Sequence, residues 1–151
     1  MGSDMIFLPM TESDIGQIVK IEEDSFSEPW SEKAFTDMLK REDAVYMTGK
    51  INDEVIAYMG ACIVCDEAYI NQVAVKREFR GENIGTALML NFLKLLRAKS
   101  VKAVTLEVRV SNQAAIRMYE KCGFKVEGVR RDFYDKPKED ALILWNTSFD
   151  K

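Results

Sequence analysis

A chain of 151 residues, 47% hydrophobic and 30% charged, has the size and mix of one domain that buries its own core. Its net charge of −4 argues against a nucleic-acid binder, and no apolar run approaches the roughly 18 residues that a membrane-spanning helix needs. With no histidine and an odd count of three cysteines, it lacks both the usual general base and a disulfide framework.

The start, MGSDMIF, has no basic region ahead of a long apolar stretch, so no secretory signal is expected, and the odd cysteine count makes a reducing cytoplasm the natural compartment. Gly2–Asp4 is open to reading as a cloning remnant. Ile6–Met10 is a short apolar segment that Pro9 restricts to a sheet edge. Thr11 or Ser13 caps a helix carrying Ile15, Ile18 and Val19 and running through Glu22 to Phe26. Pro29 breaks it, and Ser31 caps a second amphipathic helix with Ala34, Phe35, Met38 and Leu39. Residues 44–51 and 55–64 form a hairpin around Asn52-Asp53, and Asp66-Glu67 turns the chain into a third strand over 68–75.

Residues 84–99 are a strong helix, with Ile84, Leu88, Phe92, Leu95 and Leu96 on one face. Residues 104–110 alternate: Leu106, Val108 and Val110 on one side, Thr105, Glu107 and Arg109 on the other. Ser111 or Asn112 caps a helix whose Ala115, Met118, Tyr119 and Cys122 share a face, and Gly123 ends it. Strands over 125–131 and 141–147 follow, separated by a polar loop over 132–140. The order of elements describes an α/β domain with a mixed sheet and no internal linker, spanning 1–151.

The segment VAVKREFRGENIGTALML, Val73 to Leu90, stands out. A strand end enters a charged turn that opens directly into a helix, with Gly81 and Gly85 around the helix start and Arg77 and Arg80 nearby. Free backbone N–H groups at a helix N-terminus bind phosphate. The turn is neither a Walker A loop, lacking Gly-Lys-Ser/Thr, nor a dinucleotide fingerprint, lacking the G-x-G-x-x-G order.

The remaining candidates each have a plain reading beside a functional one. Glu107 is either a solvated carboxylate on an open sheet face or, near the middle of a helix-covered sheet, a proton acceptor acting directly or through water. Tyr119 is either core packing or a phenol able to protonate a thiolate leaving group. Trp30, Phe133 and Tyr134 belong either to the core or to the wall of a groove. Cys62 and Cys65 form a Cys-x-x-Cys pair, but without histidine and with only Cys122 besides they make a poor zinc site, so no metal is expected and buried strand-end cysteines are the better reading.

Taken together, EPWSEKAF at 28–35, NQVAV at 71–75, REFRGENIGTALM at 77–89, LEVRVSNQAAIRMYEKCGF at 106–124, and VRRDFY with EDALIL over 129–144 resemble the GNAT superfamily of acetyl-CoA-dependent N-acetyltransferases. They are most similar to its ribosomal-protein-alanine (RimI-like) branch. The resemblance implies a seven-stranded, largely antiparallel mixed sheet flanked by about four helices. It also implies acetyl transfer from acetyl-CoA to a protein N-terminal α-amine, by direct attack without a covalent enzyme intermediate.

By the same resemblance, the backbone of Val73, Ala74 and Val75 pairs with the pantetheine arm, and the Val73 N–H polarises the acetyl carbonyl. Arg80, Gly81, Glu82, Asn83, Ile84, Gly85 and Thr86 cradle the pyrophosphate, with Asn83 standing where the family has its first motif glycine. Asn112 contacts the CoA arm, Glu107 is similar to the general base and Tyr119 to the general acid. Trp30 and Tyr134 resemble walls of the peptide groove. A protein or peptide N-terminus is therefore the expected partner, with no nucleic acid and no membrane. A small amine or lysine as acceptor, or a silent acetyl-CoA-binding module, are the alternatives; retention of Glu107 with Tyr119 favours the enzyme.

Overall fold

Seven strands of the computed structural model, which describes residues 4–148, share one sheet in the order β1-β2-β3-β4-β5-β7-β6. They are β1 (Ile6–Pro9), β2 (Ala44–Ile51), β3 (Glu54–Val64), β4 (Glu67–Val75), β5 (Ala103–Arg109), β6 (Lys125–Tyr134) and β7 (Glu139–Asn146). The helices are α1 (Ile15–Ser25), α2 (Glu32–Leu39), α3 (Ile84–Ala98) and α4 (Gln113–Lys121). Gly2 and Ser3 of the suspected cloning remnant lie outside the described residues. Among the described residues no helix is long and apolar enough to cross a membrane.

Alternation along the strands feeds a separate core on each face of the sheet. Met47, Ala57, Met59 and Ala61 pack with Leu88, Phe92 and Leu96 of α3 and Ile116 and Tyr119 of α4. Tyr46, Val55 and Tyr58 pack with Ile15, Ile18 and Ile21 of α1 and Phe35 of α2. Ser31 caps α2 as expected, accepting from Ala34 N at 3.1 Å.

All pairings are antiparallel except β4 with β5. That parallel pair is short: Glu67, Ala68 and Tyr69 face Ala103, Val104 and Thr105, and no register continues beyond them. β4 stays with β3 as far as Val75, while β5 stays with β7 as far as Arg109. The sheet therefore splits down its middle past Tyr69.

A bulge in β4 sets which side chains line the split. Gly60 pairs with Gln72 and Ala61 with Ile70, so Asn71 is the extra residue. The Tyr46 hydroxyl donates to Asn71 Oδ1 at 2.6 Å. The Tyr46 ring lies so close to Gly60 that a Cβ there would sit 2.1 Å from it. Side chains change faces at the bulge: Ala68 and Ile70 precede it on the α3/α4 face, and Val73 and Val75 follow it on that same face. Gln72 and Ala74 turn to the α1/α2 face.

Two local expectations need correction. The polar loop expected over 132–140 shrinks to a turn over 135–138: β6 runs on to Tyr134 and β7 begins at Glu139, with Tyr134 facing Glu139. Polar composition misleads here because β6 is an edge strand, exposed along nearly its whole length, so it needs no apolar alternation. Nor are the two cysteines both buried. Cys62 is half-buried in β3, whereas Cys65 is exposed in a turn at φ 56°.

Candidate active site

Two cavities, of about 650 and 760 Å³, open on the split between β4 and β5 and share Ser25, Phe26, Val73, Asn112 and Tyr119. The smaller is lined by Val73–Val75, Arg80, Gly81, Asn83–Thr86 and one side of α4. Of the residues expected to bind cofactor, only Glu82 stays outside it; Glu82 is exposed.

The turn into α3 leaves backbone N–H groups free at the helix start. Gly81 has φ +83°, where a side chain would be strained. Asn83 takes the left-handed conformation, φ 63° and ψ 18°, which asparagine tolerates better than most residues. Its side chain makes no cap hydrogen bond, and the first intrahelical bond runs from Ala87 N to Asn83 O. The N–H groups of Ile84, Gly85 and Thr86 are thus left without intrahelical partners at the positive end of the α3 dipole.

Arg80 does something different from what its charge suggested. Its Nε donates to Val75 O and its Nη2 to Ser25 Oγ, both at 2.9 Å, tying the turn to the end of β4 and to α1. Arg77 does not line the cavity; its Nη2 reaches Asp24 O at 3.5 Å.

The open edge of β4 adds backbone groups. Lys76 N donates to Ile56 O of β3, and strand N–H groups alternate in direction. Val73 and Val75 therefore turn their N–H and C=O groups away from β3, into the split. The Arg80 bond to Val75 O fits this direction.

The larger cavity lies over the α1/α2 face. Glu22, Glu28, Trp30, Tyr69, Glu107, Arg109, Tyr134 and Asp135 are among its walls. Alternation places Glu107 there: Leu106 and Val108 are in the core, and Glu107 projects the other way, its side chain 9% exposed. Its Oε1 accepts from the Tyr69 hydroxyl at 2.5 Å and its Oε2 from Arg130 Nη1 at 2.9 Å. Tyr69 is the last residue of β4 paired with β5, so this bond spans the two strands where they part.

Tyr134 lies under Arg109, whose guanidinium carbon is 4.4 Å from the ring centroid. Arg109 also donates to Glu139, Pro137 O and Asp135 O, which locks the β6–β7 turn against β5. Burial first, then Glu107 and Glu139, push the Tyr134 phenol up to about 12 against the opposing effect of Arg109. Trp30 answers to both of its readings. Its ring packs on Phe35 with centroids 5.3 Å apart, and it also lines the groove.

Sequence reasoning missed Glu22. It is 1% exposed and accepts from the Tyr58 hydroxyl, from Gln72 Nε2 at 3.1 Å and from Trp30 N at 3.0 Å. One carboxylate thus joins α1, β3, β4 and the segment before α2. Burial raises its pKa against the lowering effect of these three donors. Tyr69, Arg130 and Arg109 were missed too; only the fold brings them beside Glu107 and Tyr134.

Tyr119 stands where the cavities meet. Its ring packs on Phe124, centroids 5.8 Å apart, and the residue is 7% exposed. No hydrogen bond to the described residues engages its hydroxyl, and that atom is not sealed from the cavities. Burial, with Tyr134 and Cys122 adding, pushes the phenol well above its ordinary range, so it keeps its proton at neutral pH. Asn112 caps α4 through its side-chain oxygen, which accepts from Ala115 N at 3.2 Å, leaving its NH₂ group for the split. Among the described residues no group of three or more His, Cys, Asp or Glu side chains is placed to hold a metal.

The two cavities carry opposite charge. The smaller contains Arg80, Arg117 and Lys121 and no carboxylate; the larger contains Glu22, Glu28, Glu107 and Asp135 against Arg109 alone. A half lined by cations and a half rich in carboxylates thus meet at a protonated phenol, an arrangement suited to bringing an anionic donor beside a cationic acceptor. Residues 15–124 match the model of the Acetyltransferase (GNAT) family, and the chain belongs to that family. It is 36% identical over 135 residues to a putative ribosomal protein bS18-alanine N-acetyltransferase of Bacillus subtilis strain 168, covering 89% of each chain. It is 32% identical over 136 residues to the ribosomal protein bS18-alanine N-acetyltransferase of Escherichia coli K12, covering 87% of this chain and 90% of that one. The crystal structure of the ribosomal-protein-S18-alanine N-acetyltransferase from Escherichia coli superposes with a TM-score of 0.88 at 30% identity, covering 95% of this chain and 93% of the other.

Proposed function

We propose that this enzyme transfers acetyl from acetyl-CoA to the N-terminal α-amine of a protein, with a ribosomal protein as the acceptor class. The observation that carries the reading is the junction of the two oppositely charged cavities at Val73 and Tyr119. The residues fit acetyl-CoA: the α3 N-terminus offers backbone donors to a pyrophosphate, and no carboxylate opposes it. At Gly85 a Cβ would meet only Met118 Cε at 3.4 Å and Val75 Cγ2 at 3.8 Å, so nothing in the protein demands glycine there. The missing Cβ keeps the helix start accessible to a ligand.

Acetyl-CoA supplies an acetyl group already activated as a thioester. Val73 and Val75 offer strand-edge donors and acceptors to the pantetheine amides, as one more strand would. The Val73 N–H is the donor for the acetyl carbonyl oxygen as charge develops there. Ile84, Gly85 and Thr86 N–H groups hold the pyrophosphate. An α-amine has a pKa of about 7.7–8.0, so most of it arrives protonated at neutral pH. Glu107 takes that proton, directly or through water, and the neutral amine attacks the thioester carbonyl. As the C–S bond breaks, Tyr119 gives its proton to the departing sulfur, and the second proton lost from the nitrogen as the amide forms restores the phenol. Trp30 and Tyr134 wall the groove that the peptide enters.

The acceptor is tested with a panel of peptides varied in their first residues, incubated with acetyl-CoA and read by mass spectrometry. Acetylation confined to the α-amine is expected. Acetylation of free small amines or lysine side chains alone would overturn the acceptor assignment.

A second prediction isolates the donor side. Gly85→Ala should leave the melting temperature unchanged or raised, because alanine in a helix is worth up to about 1 kcal/mol over glycine. The same variant should weaken acetyl-CoA binding in calorimetry. Unchanged affinity would place the pyrophosphate elsewhere.

A further inference from the structure

The cavity beside the phosphate turn holds more positive charge than the turn requires. A helix N-terminus with free N–H groups binds a pyrophosphate without cationic side chains, and Arg80 is engaged with Val75 O and Ser25 Oγ. Arg117 and Lys121 remain. Both are exposed, and no ion pair or hydrogen bond among the described residues engages either side chain.

Their placement is specific. Ala114, Arg117, Met118 and Lys121 recur at helical spacing and form the stripe of α4 that lines the cavity. Met118, in the middle of that stripe, is the side chain nearest the Gly85 position at the start of α3. The two cations therefore stand beside the anion-binding turn. Along the axis of α4 they lie about 7 and 13 Å from Asn112, at the end remote from the junction with the groove.

We propose that Arg117 and Lys121 form the subsite for the 3′-phosphate of the CoA nucleotide, a phosphomonoester separate from the pyrophosphate. The proposal rests on the acetyl-CoA reading above. A phosphomonoester carries close to two negative charges at neutral pH, matching two unpaired cations one turn apart. The arginine fork can take two of its oxygens, and the lysine serves as a mobile point charge.

Dephospho-CoA lacks this phosphate and is otherwise identical, so CoA and dephospho-CoA are the two probes, titrated calorimetrically into the wild-type chain and into Arg117→Ala/Lys121→Ala. The wild type should bind CoA roughly tenfold tighter than dephospho-CoA, as two partly screened ion contacts provide. The double variant should bind both with the wild-type affinity for dephospho-CoA, each single variant falling between. The wild-type preference should shrink with added salt. Equal binding of both ligands by the wild type overturns the proposal, and that comparison needs no variant. An equal loss for both ligands in the double variant also overturns it, assigning the cations to the pyrophosphate. A wild type that binds neither ligand would instead remove the acetyl-CoA reading itself.

Discussion

Tyr119→Phe is expected to lower the rate of acetyl transfer by about 10²-fold or more while acetyl-CoA binds as before. The substitution keeps the ring, and with it the packing on Phe124 in the α3/α4 core. It removes only a hydroxyl that makes no hydrogen bond to the described residues, so a change in melting temperature is not expected. Because burial holds the phenol protonated through neutral pH, its loss should lower the rate evenly across that range rather than shift the profile. Single-turnover rates, with donor affinity measured separately, divide chemistry from binding. Near-normal turnover would end the case for Tyr119 as the acid.

Glu107→Gln should slow the reaction by about 10²- to 10⁴-fold, the range over which a positioned general base acts. The loss should be greatest on the acid side of about pH 7.7–8.0, where the acceptor amine is mostly protonated, and should narrow as the amine loses its proton unaided. Glutamine keeps the shape and still accepts from Tyr69; what disappears is the carboxylate proposed to take the proton, together with the half-exposed ion pair to Arg130. A pH–rate profile parallel to wild type would exclude Glu107 as base. Together the two variants separate the two ends of the proposed proton path, the leaving sulfur and the acceptor amine.

Much of this enzyme is readable along the chain because its signals are local. The strand–turn–helix at Val73–Leu90 is legible from residue order alone, and a helix start leaves its first N–H groups free wherever it sits. The alternation at Leu106–Arg109 sets Glu107 opposite the core, and the caps at Ser31 and Asn112 stand where expected. The left-handed turn is legible at Asn83 because asparagine is one of the few residues that accept it. Misreadings came where an element is exposed. The strand expected over 125–131 continues to Tyr134 along an exposed edge where no apolar alternation marks its end, and Cys65 sits in a turn rather than in the strand.

The sequence by itself determined most of the elements, the helix start with its free N–H groups and the faces on which Glu107 and Tyr119 stand, because periodicity, caps and residue chemistry act within a few positions. Tertiary structure alone decided that these belong to one site. The early end of the β4–β5 ladder, and the bulge at Asn71 opposite Gly60, arise from pairings between distant segments. So do the grouping of Glu22, Glu28, Glu107 and Asp135 in one cavity and the arrival of Arg117 and Lys121 beside α3 in the other. No local pattern encodes them: a strand's partner, and the residue at which it leaves that partner, depend on what the rest of the chain packs against each face.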